Sequence, residues 1–104
     1  MYLTMNRFKV KLGHEDTFEH VWKSRDSHLE TVPGFKGFHL MKGPEGDGYR
    51  LYASHTMWAS EEAFKDWTRS EAFRKAHAGA GSTRDIYQGH PELEAFESVM
   101  QQEV

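Results

Sequence analysis

The 104-residue chain has no cysteine, which removes disulfides, thiolate nucleophiles, iron–sulfur clusters and cysteine-ligated zinc together. Any metal has to be held by His, carboxylate, Asn, Tyr or Met. There are only three prolines and no low-complexity segment, so a single domain over residues 1–104 is expected. Basic charge is not in excess: thirteen Lys and Arg stand against sixteen Asp and Glu, a net charge of −3. With no basic face to meet a phosphate backbone, nucleic acid is not an expected partner. No apolar run approaches the ~18 residues of a membrane span, and residues 1–11 alternate in polarity where an export signal would pass from charged to apolar. A soluble, cytoplasmic chain without a membrane partner is the expectation. GxSxG, P-loop and GxGxxG patterns are also missing, so hydrolase, kinase and dinucleotide chemistries lack their residues.

What the chain has is aromatic and imidazole side chains: three Trp, four Tyr, seven Phe and seven His. Full protonation of the histidines would carry the net charge from −3 to +4, so solubility and ligand affinity should respond to pH near 6. Tyr2, Thr4, Asn6, Phe8, Val10 and Leu12 alternate with Leu3, Met5, Arg7, Lys9 and Lys11, the period of a strand. After Gly13, with Asp16 or Thr17 as a cap, Phe18, Val21, Trp22, Leu29 and Val32 recur near helical spacing until Pro33-Gly34, which predicts a helix over roughly 16–31. Residues 35–42 and 49–58 read as a hairpin around the glycine-rich turn at 43–48. Ser60-Glu61-Glu62 opens a second helix carrying Ala63, Phe64, Trp67, Phe73, Ala76 and His77. A loop over 78–92 and a last strand over 93–100 complete the order strand, helix, strand, strand, helix, strand.

That order is the α+β ferredoxin-like βαββαβ arrangement, with both helices on one face of an antiparallel sheet. Phe38, Leu40, Tyr52 and Trp58 are assigned to one face and Phe35, Leu51 and Met57 to the other. The face without helices needs a cover, so a homodimer closing into a dimeric α+β barrel is expected.

Three residues stand out as candidates for chemistry. His77 ends the second amphipathic segment beside a glycine-rich loop, where a neutral imidazole can ligate a metal and a charged one is stabilised by the helix dipole. Trp67 lies ten residues earlier, about 15 Å along an unbroken helix, on a shared side; Ser70-Glu71 could cap a second segment and bend the axis. Core packing also accounts for a tryptophan there. Asn6 interrupts a largely apolar strand face, either satisfied by a neighbouring backbone group or presenting an amide donor to a cavity. The remaining histidines, His14, His20, His28, His39, His55 and His90, show no metal-ligand spacing and read as surface or packing residues.

Asn6-Arg7-Phe8, the stretch 33–38 (PGFKGF), and the stretch 58–77 from Trp58 to His77 together resemble the antibiotic biosynthesis monooxygenase superfamily, and within it the IsdG-type haem-degrading monooxygenases. The resemblance implies that haem is both substrate and cofactor. His77 would be the axial ligand of the haem iron. Asn6 would donate a hydrogen bond to the oxygen being activated, and Trp67 would press on the porphyrin and favour a non-planar ring. The outcome would be opening at a meso carbon with release of iron, using O2 and an external electron donor, an unidentified reductase. Trp22, Lys23 and Arg25 of the first helix would line the cleft, with the two cations placed to meet propionates or simply solvated. Residues 79–90 would form a flap over the cleft. The alternatives are a haem-binding carrier without turnover and a cofactor-free monooxygenase acting on a quinol-like substrate.

Overall fold

The computed structural model describes residues 1–24, 29–71, 73, 74 and 85–102. Four strands, β1 (Tyr2–Lys11), β2 (Phe35–Glu45), β3 (Tyr49–Trp58) and β4 (Glu92–Glu97), form one antiparallel sheet in the order β2-β3-β1-β4. Two helices, α1 (Glu15–Ser24) and α2 (Glu61–Thr68), complete the expected ferredoxin-like order. Both pack on the same face: α1 sets Phe18 against Phe8 and Tyr52, and α2 sets Phe64 and Trp67 against Trp58. The β1–β3 ladder pairs Tyr2 with Trp58 and runs without a shift to Lys11 with Tyr49. It therefore carries Thr4, Phe8 and Val10 inward with Tyr52 and Ser54, all buried.

Several local expectations shift. α1 starts one residue before the expected cap, with the His14 carbonyl accepting its first helical bond from Phe18, and the Glu15 carboxylate reaches back to the Gly13 N–H at 2.6 Å. It does not run on to 31 in the described residues. Leu29–Thr31 is a separate 3-10 turn closed by the Val32 N–H on the Leu29 carbonyl, so Leu29 and Val32 continued the apolar period without continuing the helix. Phe35 is assigned to the helix face instead of the outer one: a β-bulge between Phe35 and Gly37 sets it opposite Trp58, the two rings 6.0 Å apart. β4 is shorter than the expected 93–100. Of the expected flap, residues 85–90 are docked instead: Ile86 is buried in the core, Tyr87 bridges Val10, and the Gln88 N–H donates to the Lys9 carbonyl at 2.7 Å. The rest of the flap, 79–84, lies outside the described residues.

The two sheet edges are built differently. β2 carries Pro44 and a second register shift between Lys42 and Glu45, whereas β4 is six residues long with Glu92, Glu94 and Glu97 along it.

The turn that brings β2 to α2 is tight. Gly34 adopts φ +84°, its carbonyl accepts from Ala59 N–H at 2.7 Å, and a Cβ there would stand 2.4 Å from the Ala63 Cβ. Left-handed backbone and overlap with a helix both penalise a side chain. Gly34→Ala is expected to destabilise by about 2–4 kcal/mol, read as a fall in Tm on the order of 10 °C or more. Adding Ala63→Gly should give a double variant less damaged than the sum of the two singles, because the overlap is relieved while the backbone strain stays. Simple additivity would remove the overlap as the cause.

Candidate functional site

The helix-side face of the sheet is apolar at its two ends and polar in the middle. Pairing places Leu40, Ser54, Asn6 and Leu93 in one row across all four strands and Phe38, Thr56, Thr4 and Ala95 in the next. Three strand spacings make that floor about 14 Å wide, the breadth of a flat macrocycle. Ser54 and Thr4 are buried, while Asn6 is only partly covered and Leu93 is 56% exposed, so the floor is open on its β4 side. Thr4 is spoken for, since its hydroxyl accepts from the Trp58 indole N–H at 3.1 Å. Among the described residues no hydrogen bond engages the Asn6 side chain, which shares this face of β1 with Thr4 and Phe8.

Aromatic walls stand at either side. Trp22 of α1 stacks on Phe38 with centroids 5.9 Å apart and an interplanar angle of 13°, and meets Phe8 edge-on at 5.5 Å. Trp67 of α2 packs 5.2 Å from Trp58 and 4.9 Å from Phe73, in T-shaped contact with the latter. The chain after Trp67 turns as its polar residues suggest. α2 ends at Thr68, and the Ser70 Oγ then accepts from the Phe73 N–H at 3.2 Å, an N-cap for a new helical turn. The axis therefore breaks between Trp67 and Phe73. Hollows of about 290 Å³ lie beside each tryptophan, one toward Lys42 and Tyr52 and the other toward Val32 and Pro33; Asn6 lines neither.

Of the candidates read from sequence, the structure brings Asn6, Trp22, Lys23 and Trp67 to this face. His77 and Arg25 lie outside the described residues. Lys23 is paired by Glu19, with Nζ 3.6 Å from the carboxylate, and Lys42 of β2 approaches the same carboxylate at 3.6 Å. The buried Tyr52 hydroxyl donates to it at 2.5 Å. This hydrogen bond, helped by the two ammonium groups, holds the Glu19 carboxyl below the usual carboxylate range against the opposing effect of burial. Burial, and then the same carboxylate, push the Tyr52 phenol far up. The Glu19–Lys23 spacing of four on a helix was legible as a pair; Tyr52 and Lys42 meet it only through the sheet register. Among the described residues no group of three or more His, Asp or Glu is placed to hold a metal.

A sequence model of the antibiotic biosynthesis monooxygenase family matches residues 1–79. The chain belongs to that family. A heme-degrading monooxygenase of Listeria welshimeri is 34% identical over 95 residues, covering 82% of this chain and 76% of the relative. A heme oxygenase (staphylobilin-producing) of Staphylococcus epidermidis is 27% identical over 85 residues, covering 82% and 81%. Among solved structures, the heme degrader MhuD of Mycobacterium tuberculosis, with two hemes bound in its active site, superposes with a TM-score of 0.72 at 29% identity, over 99% of this chain and 100% of that one. SnoaB, a cofactor-independent oxygenase of Streptomyces nogalater, shares the fold with a TM-score of 0.66 at 20% identity, over 96% and 95%.

In this family member the Glu19–Tyr52 bond is open to titration. Tyr52→Phe is expected to raise the Glu19 pKa toward its ordinary value of about 4.3, followed by NMR of the side-chain carboxyl. Because the folded value is depressed, the bond's contribution to stability is fully present above the unfolded value and is lost as pH falls through the folded one. The stability gap between wild type and variant should therefore close on acidification. An unmoved Glu19 titration would show that the two lysines hold the carboxylate without the phenol.

Proposed function

We propose that this chain is a haem-degrading monooxygenase, taking haem as substrate and cofactor. The observation that carries the reading is the placement of the Asn6 amide on a polar, partly open floor between the Trp22–Phe38 and Trp67–Phe73 walls, in a chain whose relatives are named for haem breakdown. The residues present fit the group. A flat apolar macrocycle finds aromatic faces on both sides, and the floor offers a neutral donor where charge develops.

When bound, haem would supply the activation of O2 at its iron and would itself be the molecule oxidised, with an external electron donor such as a reductase providing the electrons. His77 would hold the haem iron. The Asn6 side-chain N–H would be held toward the reacting oxygen, between its buried same-face neighbours Thr4 and Phe8 on β1. The Trp67 indole, braced by Trp58 and Phe73, would press on one side of the macrocycle and orient it in the cleft. Trp22 would close the opposite wall. Lys23 and Arg25 would face the propionates, and Lys42 joins them because Glu19 ties it to Lys23. Iron would leave once the ring opens.

The reading includes a homodimer formed through the sheet face that neither helix covers. Leu3, Met5, Leu51 and Met57 lie on that face with the exposed Met41 and Phe96, an apolar surface of the kind that pairs sheet to sheet. It also includes one domain over 1–104, supported by the pairing of β4 with β1, and a cytoplasmic setting in keeping with the lack of cysteine. No helix among the described residues is long and apolar enough to cross a membrane.

Haem titration with an electron donor and air tests the chemistry. Wild type should bind haem saturably and then lose the Soret band as iron is released to a chelator. His77→Ala should abolish saturable binding. Asn6→Ala should keep it and slow the loss by about 10²–10³-fold, the usual cost of one preorganised donor. A persistent Soret band in the reduced, aerated wild type would make the protein a carrier, and no haem binding at all would favour cofactor-free chemistry. For the dimer, sedimentation of wild type at micromolar concentration should give two chains, and Leu3→Lys should give one chain with unchanged circular dichroism. A monomeric wild type would remove the sheet-face interface.

A further inference from the structure

The outer face of the sheet holds a cluster that the haem reading does not use. β2 and β3 set His39 directly opposite His55, and the two imidazole centroids are 6.0 Å apart at an interplanar angle of 37°. The row continues through Met5 of β1 to Glu94 of β4, whose carboxylate is engaged by Arg7. Along the strands, Met41 and Met57 stand two residues from His39 and His55 on the same face, and Gly37 and Ala53 fill the other two neighbour positions with little or no side chain. In the single chain His39 is exposed and His55 partly so; both lie on the face through which the dimer is proposed to form.

We propose that His39 and His55 form a two-imidazole chelate for a late first-row transition-metal ion, on the opposite face of the sheet from Asn6. The geometry is permissive: two imidazole nitrogens on one ion at about 2.0–2.1 Å put their ring centroids about 5–6.5 Å apart. The pair already stands in that range, held by paired backbone, so little reorganisation is needed. Imidazole nitrogens flanked by thioethers select copper or zinc over magnesium or calcium, which require oxygen ligands. Only the neutral imidazoles bind, so each bound ion competes with protons at both rings. Water, or groups of whatever packs on this face, fill the other coordination positions. The inference rests on the strand register and the spacing of the two rings, and stands whether or not the cleft binds haem.

The test is calorimetric titration of the full chain with Cu²⁺ and with Zn²⁺ at pH 7.5, on wild type and on Leu3→Lys, in which the outer face is expected to be open. One ion per chain should bind, more tightly for copper than for zinc, in one or both proteins. His39→Gln and His55→Gln should each weaken it at least about ten-fold, whereas His14→Gln leaves it unchanged. Affinity should fall on acidification, because a proton and the ion compete for the same imidazole nitrogen. Cu²⁺ should broaden the His39 and His55 ring resonances before those of other histidines. Absence of binding in both proteins would overturn the proposal, as would binding that survives both glutamine variants. Neither result bears on the haem titration, which reads the other face.

Discussion

Everything on both faces of the sheet depends on the unshifted antiparallel ladder between β1 and β3. Ten consecutive pairs, from Tyr2 with Trp58 to Lys11 with Tyr49, decide which side each residue occupies. A slip of one residue would turn Asn6 away from the aromatic walls and drive Arg7 and Lys9 under the helices. Trp58 holds that register at one end: it is fully buried, donates to Thr4 across the ladder, and packs against Phe35 of β2 and against Phe64 and Trp67 of α2. Phe18 does the same at the other end, its ring 4.5 Å from Tyr52 and 5.5 Å from Phe8. Between these two apolar anchors the floor can be polar at little cost, because it is open on its β4 side and the buried Thr4 hydroxyl is paired with the Trp58 indole.

How much of this was legible in the chain depended on whether the signal was local. Alternation over residues 2–12 marks β1 and the odd polarity of Asn6. Ser60 and Ser70 mark two helix starts because a hydroxyl ahead of acidic residues supplies the missing acceptor for orphan N–H groups, and both caps are present. The family resemblance carried by residues 58–77 was equally local. Parity counting failed at Phe35, because a bulge adds one residue and resets the alternation without leaving a distinctive residue type behind. Periodicity overran at Leu29 and Val32, which are apolar at helical spacing yet open and close a 3-10 turn, Leu29 within it and Val32 just after it. Groups joined only by register were out of reach. His39 and His55 are sixteen residues apart, and Glu19 and Tyr52 thirty-three, with nothing in either neighbourhood to name the other.

The two faces of one sheet thus carry different chemistries with little crosstalk. The helix side combines aromatic walls, one half-open amide and a carboxylate that gathers two lysines at its rim. The outer side is flat, rich in methionine, and crossed by an imidazole pair. Because successive side chains of a strand point opposite ways, a substitution on one face leaves the other face's geometry intact as long as the ladder holds.

The unlike margins of the sheet have a consequence for how the molecule can assemble. Pro44 offers no N–H to an incoming strand and the adjacent irregularity bends that margin, while the glutamates of β4 repel a like strand laid alongside. Lateral, open-ended growth into a ribbon is blocked at both borders by unrelated means. Contact through the broad outer surface, the proposed dimer face, stays open, and a single two-fold operation would exhaust it. The fold can thus expose apolar area in the isolated chain and still be limited to a closed, finite complex.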